Sequence, residues 1–286
     1  MAEILQQALN ALMLGSIYCL IASGLTLVYG IMRVPNFAQG NIYMLGSYMV
    51  FFFSLRVSQN YWPAFFLAVI FMAILGIIIE RLFFRPVRDA PHVNSFVVAL
   101  GLLMIIQGII IVSFGAEYKE VSPPWRETLN FLGVTITMQR VLVIVGTIIV
   151  MLALEYFIKR TKLGMTLDAM SQNRELALMA GVNVNRMSQI AFMISTGLAA
   201  IGGALMAPVS FVYPDMGMSP LLIAFAATIF GGMGSLPGAV LGAFIMAFAQ
   251  VFTTQYISAV VSDIGIFGIM IGILIFRPKG LIGGRG

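Results

Sequence analysis

Ile4-Leu-Gln-Gln-Ala-Leu-Asn-Ala-Leu-Met-Leu-Gly-Ser-Ile-Tyr-Cys-Leu-Ile-Ala-Ser-Gly-Leu-Thr-Leu-Val-Tyr-Gly-Ile-Met32 runs for 29 residues between Glu3 and Arg33 without a single charge. A bilayer core about 30 Å thick is crossed by about 20 apolar residues of helix. Backbone N–H and C=O groups find no partner in hydrocarbon, so such a stretch has to satisfy them itself, as a helix. It lacks the basic leader of a signal peptide, since Glu3 is its only early charge. The reading is a retained transmembrane helix, with residues 1–10 placed along the interface.

The same pattern recurs along the chain. Charge-free intervals of 22, 23 and 24 residues separate Arg33 from Arg56, Arg56 from Glu80, and His92 from Glu117. Val141–Ile158 is a further span, with Glu155 near its end. Met187–Pro214 is charge-free for 28 residues, Met216–Ser262 for 47, enough for two passes, and Ile264–Phe276 for 13. The expected fold is an all-α polytopic membrane domain over residues 1–286 with eight or nine transmembrane helices, some of them broken. The count is nine with the N-terminus outside if every segment crosses. It is eight with the N-terminus inside if the stretch from Arg33 to Gly40 is re-entrant.

Composition agrees. Of 286 residues, 60% are hydrophobic and 9% charged, against about 45–50% and about 25% in soluble domains. So few charges cannot coat a water-exposed surface, which excludes an ordinary soluble enzyme and a disordered chain. One cysteine, Cys19, and one histidine, His92, exclude a disulfide framework and Cys- or His-based metal clusters within the chain. The net charge of +5 is a topology signal rather than a nucleic-acid one. Arg33, Arg81, Arg85, Arg88, Lys159, Arg160, Lys162, Arg174, Arg186, Arg277, Lys279 and Arg285 fall on one side, and Arg56, Lys119, Arg126 and Arg140 on the other. The richer side is expected to be cytoplasmic, which puts the C-terminus inside.

Catalytic and phosphate-binding motifs are missing. None of Lys119, Lys159, Lys162 and Lys279 follows a glycine, so there is no G-x-x-x-x-G-K-[ST] loop. No G-x-S-x-G elbow or H-E-x-x-H helix occurs. The middles of the expected spans hold no ionisable residue, which argues against proton coupling. Glu80 and Glu155 sit near span ends, within reach of Arg81 and Lys159, and read as interface charges.

Two Gly/Pro breaks stand out, Tyr29–Gly40 and Phe230–Gly238. Interrupted segments in the two halves of a transporter point to a site built on an internal repeat, and equally to loops between short helices. Near the first break lie Thr26, Asn36, Gln39, Asn41 and Tyr43, with Gln107 and Thr228 further on. Amides and hydroxyls can hydrogen-bond a polar solute without the desolvation cost of a fixed charge, or hold helices together. These seven are the candidates for a pathway.

The polar stretch Lys159–Arg186 is the longest loop on the richer side, at 28 residues. Within it Arg174–Ala180 reads as a short helix. Ser171 or Asn173 can cap its start and Gly181 can end it in a left-handed turn. Leu176, Met179 and Ala180 form one apolar stripe, suited to lipid or to a groove on a cytoplasmic partner.

Glu175-Leu-Ala-Leu-Met-Ala-Gly181 resembles the E-A-A-x-x-x-G signature of ABC importer permeases, with Leu176 departing at the second position. Over almost its full length the chain is similar to LivH-type permeases of branched-chain amino acid ABC importers. The resemblance rests on Leu14–Tyr18, Gly24–Gly30, Asn36–Gly40, Met44–Tyr48, Lys162–Met165, Gly231–Gly238 and Arg277–Gly283. Gln39 stands where the family commonly has His. The resemblance implies a transport subunit of a prokaryotic cytoplasmic (inner) membrane rather than an enzyme. It implies no cofactor in this chain, with ATP and Mg on two partner ATPase subunits, and no nucleic acid. It also implies a second homologous permease, as a heterodimer, and a soluble binding protein. Arg174, Glu175, Ala177 and Gly181 would then couple to the ATPase. Related permeases carry urea, short amides or other small solutes, and a passive facilitator would explain the spans as well, though not the 28-residue loop.

Overall fold

A computed structural model describes residues 2–33, 36–57, 59–88, 90–131, 134–276 and 280. Eleven α-helices make up nearly all of the described chain. They are α1 Ala2–Met32, α2 Gln39–Arg56, α3 Tyr61–Ile79, α4 His92–Phe114, α5 Met138–Arg160, α6 Lys162–Gln172, α7 Arg174–Met179, α8 Val184–Met206, α9 Met218–Gly231, α10 Leu236–Tyr256 and α11 Ala259–Phe276. A small antiparallel hairpin, β1 Thr128–Phe131 and β2 Val134–Thr137, precedes α5. Six helices (α1, α3, α4, α5, α8 and α10) are long and apolar enough to cross a membrane. The chain is an all-α polytopic membrane protein.

Two helices form the centre. Within their apolar windows α1 is 83% and α8 67% buried, while α3 and α4 reach 28% and α5 17%. The outer helices therefore keep their large side chains for lipid, as with Val112 and Met104, and the inner pair is enclosed. Lipid gives helices no hydrophobic reason to associate, so close approach through small residues has to serve. Gly203 of α8 shows it. A Cβ there would lie 2.1 Å from the Tyr43 carbonyl oxygen of α2, and the Ser47 hydroxyl donates to the Gly203 carbonyl at 2.8 Å.

Contacts sort the chain into two ends. At one end, Gln6 accepts from the Thr135 backbone, Arg140 donates to Asn10, and Gln255 to Glu3. Trp62 packs on Trp125 and Tyr118 on Phe211 and Tyr213 there, as aromatic residues do at a membrane interface. At the other end, Gly30 packs on Ser171, Arg88 donates to Asn185, and Gly280 lies against Gly232. Among the described residues the second end carries Arg33, Arg81, Arg85, Arg88, Lys159, Arg160, Lys162, Arg174 and Arg186, and the first Arg56, Lys119, Arg126 and Arg140. Residues 2 and 280 lie at opposite ends, which matches an odd number of passes.

Several details depart from expectation. Of the first break, Val34 and Pro35 lie outside the described residues, as does the tail Arg277–Gly283 apart from Gly280. The second, Phe230–Gly238, is a tight turn: Gly232 and Gly234 take φ of 106° and 88°, and the Ser235 hydroxyl accepts from the Gly238 N–H. A further irregular stretch, residues 207–217, separates α8 from α9. Glu80 is no interface charge. Its side chain is 0% exposed and pairs with Arg85 at 3.1 Å and with Arg88, not with Arg81. Glu155 does pair with Lys159, in the open.

Candidate functional site

The first turn of α2 sits halfway along its neighbours. The Gln39 amide donates to the Ser195 carbonyl at 3.0 Å, and the Ser195 hydroxyl is shared between the Gln39 side-chain oxygen (3.2 Å) and the Gly24 carbonyl (2.9 Å). Ser195 is the central residue of α8. The Asn41 amide donates to the carbonyl of Leu103, the central residue of α4, at 2.6 Å. Asn36 prepares the turn by accepting from the Ala38 N–H at 3.1 Å. Its own amide nitrogen is buried without a partner among the described residues. One serine and two amides thus join α1, α2, α4 and α8 at mid-depth.

The start of α9 comes to the same place. A Cβ on Gly40 would meet the Gly217 carbonyl oxygen at 2.5 Å, and one on Gly217 would meet that of Gly40 at 2.1 Å. With 14 residues, α9 is about 21 Å long at 1.5 Å per residue, too short for a bilayer core of about 30 Å. Residues 207–217 make up the difference by turning back from the aromatic end into the bundle. Two helix N-termini, each carrying a partial positive charge, therefore meet near the centre.

That return carries a charge with it. The Gln107 amide donates to the Asp215 carboxylate. Gln107 is four residues past the midpoint of α4, or about 6 Å along its axis. Among the described residues the middles of the helical spans carry no ionisable group, as expected, but the irregular stretch brings a carboxylate to Gln107 from outside them. In the sequence Asp215 reads as a boundary between two apolar runs, whereas the fold carries it below the aromatic end.

The remaining pathway candidates are spread out. Thr26 keeps a buried hydroxyl without a partner among the described residues. Tyr43 is buried against α8. The Thr228 hydroxyl donates to the Ala224 carbonyl of its own helix, and lines a shallow cleft with Leu25, Tyr29, Phe225 and Met233. Ser195 and Asp215 are the residues that the candidate set leaves out.

At the basic end, α7 spans Arg174–Met179. The Asn173 side chain caps it by accepting from the Leu176 N–H at 3.0 Å, and Gly181 ends it at φ 81°. Ala177 faces inward, while Leu176 and Met179 are 63% and 85% exposed. The preceding α6, unforeseen in the sequence, lies under it on a buried face of Gly164, Leu167 and Met170. Beside them Arg88 links buried Glu80 to Asn185, in the first turn of α8. Among the described residues no group of three or more His, Cys, Asp or Glu is placed to hold a metal ion.

Residues 7–276 match the family described as branched-chain amino acid transport system / permease component. The chain is 32% identical to the high-affinity branched-chain amino acid transport system permease protein BraD of Pseudomonas aeruginosa, over 98% of this chain and 95% of that one. It is 33% identical to LivH of Salmonella typhimurium and 32% to LivH of Escherichia coli, with the same coverage of both chains. In fold it resembles PsaBC from Streptococcus pneumoniae in complex with Fab, with a TM-score of 0.52 at 13% identity over 94% of this chain and 91% of that one.

Proposed function

Because the chain belongs to the branched-chain amino acid transport permease family, and is a transport subunit rather than an enzyme, we propose that it forms part of the translocation path of an ABC importer for a small, branched-chain amino acid. Two ATPase subunits bind and hydrolyse ATP with Mg, a second homologous permease completes the path as a heterodimer, and a soluble binding protein delivers the solute. The basic end is the cytoplasmic face of a prokaryotic inner membrane, with the C-terminus there, by the excess of Lys and Arg.

The observation that carries this reading is α7. A capped helix with Leu176 and Met179 left bare at the basic end is suited to lie in a groove of a partner. Arg174, Glu175, Ala177 and Gly181 shape and orient it. Movement of α7 passes directly into α8, whose central Ser195 holds α1 and α2. Closure of the ATPase pair would thus tilt the central helices and change access to mid-depth. Thr26, Asn36, Gln39, Asn41, Tyr43, Gln107 and Thr228 line or frame that path, Gln39 and Asn41 by fixing the helices around it. A solute drives such a cycle only if its contacts differ between the two states.

The test is reconstitution of the chain with its cognate permease, ATPases and binding protein. ATP-dependent accumulation of leucine, isoleucine or valine is expected. ATP hydrolysis without accumulation of any of them would overturn the reading.

A further inference from the structure

Asp215 is exposed, although the residue it bonds, Gln107, lies inside the apolar span Val93–Phe114. Its partner Gln107 stands about 10 Å short of the aromatic end of α4, counted at 1.5 Å per residue. Gly217, two residues on, touches Gly40 at the first turn of α2. A carboxylate at this depth facing hydrocarbon is costly, so such residues face a bundle interior or a water-filled path. No basic side chain neutralises it among the described ion pairs. Lys119, whose backbone pairs with Val212, turns its ammonium to Glu117 at 3.2 Å.

A second observation points to the same spot. The Tyr48 side chain is fully buried, its hydroxyl has no partner among the described residues, and it feels the Asp215 charge without a hydrogen bond to it. Gln107 occupies one carboxylate oxygen, and no described bond takes the other. The carboxylate and the Gln107 side-chain oxygen form an acceptor-rich pair, with the buried phenol behind them. Such a set suits a compact cation with several N–H donors.

We propose that Asp215, with Gln107, is the station where this chain takes the ammonium group of the transported amino acid partway across the membrane. This rests on the transport reading above and adds to it which end of the solute this chain holds. The charge-assisted bond replaces hydration lost on entering the path. Gln107 keeps the carboxylate oriented between solutes.

The test has two arms, both on the complete transporter in sealed cells. In the first, Met218→Cys, at a side chain 50% exposed three residues beyond Asp215, is made with Cys19 replaced by Ser, and a membrane-impermeant cationic thiol reagent is added. Modification is expected, slowed by leucine or alanine while Asp215 is present and not when Asp215→Asn is added. Absence of modification, the same slowing with Asp215→Asn, or slowing by acetamide or urea but by no amino acid would overturn the proposal. In the second arm, Asp215→Asn is expected to lower leucine uptake roughly tenfold or more, as loss of a bond to a charged group implies, with assembly of the complex retained. Wild-type uptake by this variant would also overturn it. If the unmodified transporter carries no branched-chain amino acid, the functional reading fails by itself, and reagent access and protection still decide the role of Asp215.

Discussion

Gly40 and Gly217 meet backbone to backbone, each standing where the other's carbonyl oxygen leaves no room for a Cβ. The contact joins the start of α2 to the start of α9, two segments far apart in sequence. A clash with main chain cannot be relieved by a rotamer change.

Gly217→Ala should therefore lower the stability of the purified protein by about 1–3 kcal/mol, the usual cost of overpacking. Gly101→Ala is the matched control, because nothing lies within 4 Å of its Cβ position. It should be neutral or stabilising by about 0.5–1 kcal/mol, as for other helix-interior glycines. Thermal midpoints in detergent compare the two, and equal midpoints would count against the contact.

Glu80→Ala strips the buried partner from Arg88, whose side chain is 6% exposed. Uncompensated buried charges cost about 3–5 kcal/mol. The variant should lose monodispersity in size-exclusion chromatography. Changing Glu155 to Ala, whose ion pair with Lys159 lies in the open, should shift stability by less than about 1 kcal/mol.

Met179→Asp places a charge on the bare stripe of α7 without touching the bundle. Co-purification of the ATPase should fall by roughly tenfold or more, in the range of an interface hot spot, while the permease melts as before. Glu175→Lys, a charge reversal in the same helix, should separate ATP hydrolysis from uptake. Unchanged coupled uptake in both would remove α7 from the coupling role.

Gln39→Leu leaves the Ser195 hydroxyl and carbonyl without their α2 partner, at a cost of about 1–3 kcal/mol for buried polar groups left unmade. Its stability and uptake should fall together. Asn36→Leu removes an amide nitrogen that bonds nothing in the described structure and one acceptor, for the Ala38 N–H, against the two bonds that Gln39 makes to Ser195, so uptake should fall further than stability. Identical behaviour of the two would assign Asn36 to helix packing.

Charge spacing made most of this fold legible. Lipid enforces helices wherever about 20 residues lack charge, and that alone locates α1, α2, α3, α4 and α8. The cap and stop of α7 were legible too, since Asn173 and Gly181 act within one turn. The start of α9 was not. Asp215 looks like a boundary in a linear count, and only the packing of Gly217 on Gly40 reveals that the chain has turned back inward. The buried pairing of Glu80 stayed hidden for a related reason. A π turn at Glu80–Phe84 changes which later residues share its face, so the adjacent Arg81 was the wrong partner. The α6 helix went unread because its buried positions, Gly164, Leu167 and Met170, form a stripe too sparse to stand out in a polar loop.

The bare stripe on α7 also bears on the life of the protein in the cell. On the proposed coupling role, a copy made in excess of its ATPase would display Leu176 and Met179 to the cytosol indefinitely, as a flag for chaperones and proteases. Supply of the soluble subunit should then set how long each membrane subunit survives, and so hold the two in proportion without any need for matched synthesis.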